Sequence, residues 1–374
     1  MRKRVVLFAV ILLLGFTFVA HGAEYSERYS RVSLFFLYNS WQEDLLDGPR
    51  DTDEEVVGLS VDQCVSKRLS VSVWSTFTRA RLDDEYNESA LSSLNDTKIG
   101  ANYTIGNLAS VRLAVNVPTG VDALSDNEYI VASAVADNAR KFAVRRFGQG
   151  LDVSGELYWH PQIGRYELSL GGGYTHKGAY RLLLIDESDY KFGDEYLGKL
   201  AASTAGEKFS LGGSVQYGMY TEDEFDSRSV YQSGNSIIIA GRADYNSSIN
   251  GYAGFSVITR GNAKILGVDS TLTEESLRSG RNEYLGYVGG SIPIGRKIQG
   301  LGRLEYKYLT ANEYEVGSRR YRPESDYAGL GLGFSYQFSL YFSASAAGNY
   351  FIGSTDGEGL DGIGFYTALS FRYW

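Results

Sequence analysis

Asp361–Trp374 reads D-G-I-G-F-Y-T-A-L-S-F-R-Y-W. Alternate residues fall into two sets, Phe365, Thr367, Leu369, Phe371 and Tyr373 on one face and Gly364, Tyr366, Ala368, Ser370 and Arg372 on the other, which is the period of an extended strand. One face is apolar and the other small or polar. A strand of this kind needs water on one side and an apolar medium on the other.

At the opposite end, residues 1–22 read as a signal peptide. Arg2, Lys3 and Arg4 form a basic start, Val5 to Val19 an apolar core, and Ala20-His21-Gly22-Ala23 a small-residue cleavage zone. The expected mature domain is 23–374. No cysteine follows the cleavage zone, which argues against lipidation there, and Cys64 is the single cysteine of the chain, so no intramolecular disulfide or Cys-based metal cluster is expected. After residue 23 no apolar run approaches the roughly 20 residues of a spanning helix. Removing the three basic residues of the signal from 36 leaves 33 Lys and Arg against 45 Asp and Glu, a charge of −12, which argues against nucleic acid as a partner. With 44 Gly, 29 Tyr, 18 Phe and 5 Pro, the composition suits many strands joined by tight turns.

The same alternation recurs along the chain. It places apolar stripes at Val57/Leu59/Val61, Leu69/Val71/Val73/Phe77, Ile99/Ala101/Tyr103/Ile105 and Val111/Leu113/Val115/Val117, with charged loops at Glu43–Glu55 and Leu82–Leu94. A first strand over Arg31–Trp41 is apolar on both faces. After a long connection, further stripes begin at Leu151, Tyr166, Tyr196, Phe209, Ile237, Ala253, Asn282, Ile298, Leu330 and Leu340, and Gly353–Asp361 leads to the last strand. Short turns alternate with longer loops. The sum is sixteen strands, with fourteen as the alternative.

An export signal, no helical span and an aromatic-rich terminal strand together resemble the bacterial outer-membrane β-barrel proteins. Trp374 matches the aromatic final residue of that family, although the apolar set here ends one residue earlier, at Tyr373. The resemblance implies an all-β, transmembrane, antiparallel up-and-down barrel, with outer-membrane lipid, the barrel-assembly machinery of a Gram-negative cell and small solutes as partners, and a homotrimer as one assembly to test. In sixteen-stranded porins the third external loop folds into the lumen. Here that loop is Thr119–Gly148, with an Ala-rich stretch from Tyr129 to Phe147 that suits a short helix. If it does the same, its basic residues Arg140, Lys141, Arg145 and Arg146 are the expected constriction residues; the alternative is an exposed surface loop. A local pattern, V-P-T-G at 117–120, F-G-Q-G-L-D at 147–152 and L-G-G-G-Y at 170–174 with K-G at 177–178, is similar to that of outer-membrane transport proteins of phenol meta-pathway type.

Charged residues on the polar faces must point inward, since a midplane Arg or Lys facing lipid costs about 2–4 kcal/mol. The expected pore lining is Lys98, Arg112, Asp152, Glu156, Glu167, Lys199, Arg242, Asp244, Arg303, Glu305, Lys307 and Arg372. Catalysis is not expected, and neither is a cofactor or metal. His160 and His176 fall at opposite ends of the strands, and Asp152 is eight residues from His160, about 26 Å at roughly 3.3 Å per residue. The expected activity is passive diffusion of small polar or aromatic solutes through an outer-membrane channel. The alternatives are a selective importer of hydrophobic compounds and a structural sheath for a periplasmic partner such as a cytochrome.

Overall fold

Sixteen antiparallel strands, each hydrogen-bonded to its neighbours in the chain, close on themselves where the last pairs with the first. The computed structural model describes residues 30–373 apart from 46–47, 85–87, 138, 145, 149, 186–187, 207 and 268. The signal peptide, Arg145 and Trp374 lie outside the described residues. The strands are β1 (Ser30–Leu45), β2 (Gly48–Cys64), β3 (Leu69–Asp84), β4 (Glu88–Leu94, continuing as Thr97–Ile105), β5 (Ala109–Val117), β6 (Asp152–Trp159), β7 (Tyr166–His176) and β8 (Glu195–Ala205). The second half comprises β9 (Phe209–Tyr220), β10 (Ser236–Tyr245), β11 (Asn250–Arg260), β12 (Glu283–Pro293), β13 (Ile298–Leu309), β14 (Ser325–Gln337), β15 (Phe342–Thr355) and β16 (Glu358–Tyr373). Closure runs from Ser30↔Tyr373 to Glu43↔Leu360. It leaves no free edge, which is what a sheet in hydrocarbon requires.

The outward stripe is the one read from the sequence: Leu113, Leu157, Leu170, Leu211, Val288, Leu304 and Leu332 are all exposed on the outer wall. Aromatic pairs bound this belt above and below. Phe209 packs on Tyr245 at the end nearer the chain termini, and Tyr174 on Tyr196 and Tyr284 on Tyr308 at the loop end. Tyr166 and Tyr174 lie eight residues apart on β7, about 26 Å along the strand, or about 20 Å in height after a tilt of roughly 40°. That height suits the apolar band of an outer-membrane barrel.

The wall is uneven. β1, β2, β3 and β16 run 16, 17, 16 and 16 residues, against 8 for β6, and a strand needs only about 9–11 to cross. The expected loops at Glu43–Glu55 and Leu82–Leu94 are therefore largely strand. Above the belt both faces are polar, so the alternation persists without an apolar stripe to mark it: Thr52, Glu54 and Val56 are buried inside while Asp51 and Glu55 face out. The expected connection Gly353–Asp361 shrinks to the two-residue turn Asp356-Gly357. Both residues have positive φ, 54° and 83°, the hairpin turn that Asp-Gly favours.

On the low side the rim is raised by loops. Three hairpins contribute the short strands Ala179–Arg181 and Asp189–Lys191, Glu222–Phe225 and Arg228–Gln232, and Lys264–Leu266 and Leu272–Glu274, which pair into a second, six-stranded antiparallel sheet.

Candidate pore constriction

The connection between β5 and β6 folds into the barrel. Its turn inward is set at its first residues: Gly120 N–H donates to Asp96 Oδ1 at 2.9 Å, Asn116 Nδ2 to Asp96 Oδ2 at 3.2 Å, and Thr119 Oγ1 to the Asn95 carbonyl at 2.8 Å. The two limbs of the loop cross at Gly120 and Gly148. A Cβ on either would strike the backbone carbonyl of Phe147 or Val121, so the crossing needs glycine at both positions. Between the limbs lies helix α1, Asp126–Ala136, within the Ala-rich stretch. Ser125 caps it: its Oγ accepts from Glu128 N–H, and the Glu128 carboxylate accepts from Ser125 N–H at 2.9 Å.

Val131 and Val135, one helical turn apart, are fully buried. They pack with Phe142, Val144 and Phe147 into an apolar seat on the inner wall made by Trp41, Val56, Leu82, Leu91, Tyr327, Phe351 and Leu360. This explains why β1 is apolar on both faces: Val32, Leu34 and Phe36 face out, while Phe35, Leu37 and Trp41 face the loop. Trp41 stacks on Phe351 with ring centroids 5.0 Å apart and lies over Gly362, where a side chain would collide with it.

Polar clamps fix the loop around that seat. Glu54, fully buried, accepts the backbone N–H groups of Ala143 and Val144 at 2.7 and 2.8 Å and Asn39 Nδ2 at 3.3 Å. Arg140 is buried with Glu43, to which it donates an ion-paired hydrogen bond, and also reaches Thr52 Oγ1 at 3.3 Å. Lys141 crosses to Glu305 on β13 at 2.6 Å, and Asp137 accepts from Arg281 at 2.9 Å. Burial works against ionisation of Asp137, but the Ala139 N–H and the guanidiniums of Arg281 and Arg140 outweigh it and hold the carboxyl below its usual range.

The loop thus fills the side of the lumen against β1–β4 and β13–β16. Beside it, between the loop and strands β3–β8, a space of about 540 Å³ remains open, lined by Trp74, Lys98, Asn116, Arg146, Asp152, Glu156, Lys177 and Glu195 among others. Asp152 is held by Lys177 Nζ at 2.9 Å, and Arg112 stands 3.9 Å from Glu156 with its guanidinium over the Tyr158 ring. Lys98 and Glu195 form no ion pair among the described residues. Arg146 borders the space and stacks on Phe192.

Of the remaining residues expected inside, Arg242 is bidentate with Asp244 on its own strand and stacks on Tyr252, and Arg303 pairs with Glu305 and stacks on Tyr287. Lys307 pairs with Glu283 at 3.2 Å. Glu167 and Lys199 border a second recess further toward the terminus end, and Arg372 is opposite Arg31 at the closing seam. Sequence reading missed Glu43, Glu54, Trp74, Asp96, Lys177 and Glu195. The first two fall in an expected loop, Trp74 and Glu195 carry no signal beyond the alternation of their strands, and Asp96 and Lys177 lie just outside strand segments.

Cross-strand pairing also makes two histidine contacts that strand positions alone do not suggest. His160 Nε2 lies 2.9 Å from Ser110 Oγ, and His176 Nδ1 lies 3.2 Å from Asp194. In the first, the Nδ1 that an orienting acid would occupy in a Ser-His-acid triad is buried with no hydrogen-bond partner among the described residues. No group of three His, Cys, Asp or Glu side chains among the described residues is placed to hold a metal ion.

No protein family matches the chain by sequence, and no curated protein does. Solved structures do match in shape. In-vitro folded OmpT, an outer membrane protein of Vibrio cholerae, is 11% identical with a TM-score of 0.42 over 94% of this chain and 99% of its own. The CymD monoaromatic hydrocarbon channel is 13% identical with a TM-score of 0.44, over 93% and 89%. A mutant porin of Rh. blastica is 12% identical with a TM-score of 0.37, over 92% and 100%.

Proposed function

We propose that the chain forms a porin-like channel in the bacterial outer membrane, with its termini in the periplasm, through which small polar or aromatic solutes diffuse. The observation that carries this reading is the folded-in loop: it is clamped by buried charges on one side of the lumen and faces an unfilled, charged space on the other. A barrel of this strand number encloses more room than its own side chains fill. The constriction in this reading is the gap between Arg146 on the loop and Lys98, Asp152, Glu156 and Glu195 on the wall. Arg140 and Lys141 act as its anchors. Acids and bases of the wall face one another there, so the gap favours polar over apolar solutes without a strong preference for one sign.

Export through the N-terminal signal, delivery to the barrel-assembly machinery and assembly as a homotrimer belong to the same proposal. Planar-bilayer recording of the refolded protein tests it. Stable conductance steps, with an ion preference that moves toward cations in an Arg146→Gln variant, are the expected result. A folded protein that passes no current would refute the channel and favour the sheath.

A further inference from the structure

The lumen has a second concave site, away from the loop. It is a recess of about 310 Å³ in the inner wall of β7–β10, on the half nearer the termini, bordered by Glu167, Lys199, Arg242 and Tyr287. Its floor exists because the inward residues of these strands are small: Ser169, Ala201, Ser203, Gly212, Ser214 and Ala240.

Register fixes the layout. Glu167 is opposite Ser203, Ser203 opposite Gly212, and Gly212 opposite Arg242, so Glu167 and Arg242 end one row across four strands, about 14 Å apart at roughly 4.8 Å per strand. Lys199 is four residues above Ser203, about 13 Å along the strand at roughly 3.3 Å per residue. Arg242 is already neutralised by its bidentate bond to Asp244, and it presents a flat cation beside the Tyr287 ring. Glu167 and Lys199 are different. Neither side chain forms an ion pair or hydrogen bond with any described residue, and they are too far apart to pair with each other directly.

We propose that this recess is a binding site for small zwitterions, compounds bearing one carboxylate and one ammonium such as free amino acids. The carboxylate is taken by Lys199 and the ammonium by Glu167, with the intervening carbons over the small-residue floor. Two opposite charges held apart by a neutral floor match a ligand of the same pattern. A simple anion or cation would leave one of them unmatched. The inference rests on the channel reading, which places the recess on the route of a solute that has passed the constriction.

The test uses the full-length refolded protein and the series of ω-amino acids from glycine to 6-aminohexanoate, with butyrate and butylamine as single-charge controls. Each is titrated against single-channel potassium current normalised to the same protein without additive, and in detergent by saturation-transfer NMR. The expected result is concentration-dependent current reduction by one or more zwitterions, at least about fivefold weaker for butyrate and butylamine, the scale of one exposed charge contact. Glu167→Gln and Lys199→Gln should each weaken the effect by a similar factor. The exchanged pair Glu167→Lys with Lys199→Glu should restore it, because the zwitterion binds reversed. Normal current that no zwitterion alters, or equal potency of butyrate and the zwitterions, overturns the site. Absence of current overturns the channel instead, and the NMR signal then decides the site independently.

Discussion

Replacing Glu54 with Ala should release the lumen loop while leaving the barrel closed. In the native chain this carboxylate accepts two backbone N–H groups of the loop, from Ala143 and Val144, in a site with no solvent exposure. Hydrogen bonds to a charged group contribute about 1.5–3 kcal/mol each, so the loop's seat loses roughly 3–6 kcal/mol before water recovers part of it. Glu54→Gln keeps a carbonyl oxygen in place and should cost about half as much. The apolar contacts of Phe142, Val144 and Phe147 still favour the seat, so the expected state is a loop that leaves and returns. With Cys64, the only cysteine, changed to Ser, a cysteine introduced at Val144 reports the loop by its rate of thiol labelling, since that side chain is buried in the native protein. Labelling should rise at least tenfold in Glu54→Ala over the native residue at 54, less in Glu54→Gln, and single-channel recordings should become noisy with a larger mean conductance. Equal labelling rates in all three proteins would show that these hydrogen bonds do not hold the loop and would refute the argument.

The Arg140–Glu43 pair is buried on both sides, so Arg140→Met alone should lower the unfolding free energy by about 3–5 kcal/mol, whereas Arg140→Met with Glu43→Leu should cost much less; urea titration in detergent decides. Gly362→Val should displace Trp41, with a penalty of about 1–3 kcal/mol that Trp41→Leu partly relieves. Leu113→Arg on the exposed outer face should impair folding into vesicles by about 2–4 kcal/mol, while Ala114→Arg, facing the lumen, should fold and alter conductance. The Asp137 carboxyl titrates below its unfolded value, so its hold on Arg281 is complete above that value and is lost only as pH falls through the lower folded one. Conductance should therefore show no step from this group between neutral pH and about pH 4.

Most of the barrel was legible because lipid enforces a rule on half the residues. Stripes such as Val111, Leu113 and Val115 have one explanation, and counting them recovers all sixteen strands. The rule stops where lipid stops. In β2, Asp51, Thr52, Asp53, Glu54 and Glu55 alternate as strictly as the stripe below them, but both faces are polar, and they read as a loop. The seat is invisible for the opposite reason: Trp41, Tyr327, Phe351 and Leu360 are ordinary apolar residues whose partner is a loop far away in sequence. Of the loop's basic cluster, composition indicated the segment, but only geometry separates Arg140, spent inside on Glu43, from Arg146, which borders the open space.

The seat of the loop also bears on how the molecule assembles. Its residues come from both ends of the chain, Trp41 and Val56 from the first two strands and Tyr327, Phe351 and Leu360 from the last three, while its occupant comes from between β5 and β6. Such a surface does not exist until β16 has found β1. Contacts of such long sequence separation form late, because the chain entropy lost in bringing them together comes before any gain. Once seated, the loop touches strands on either side of the β1–β16 seam, so the last contact to form acts as an internal rivet across the first place where the cylinder would otherwise come open.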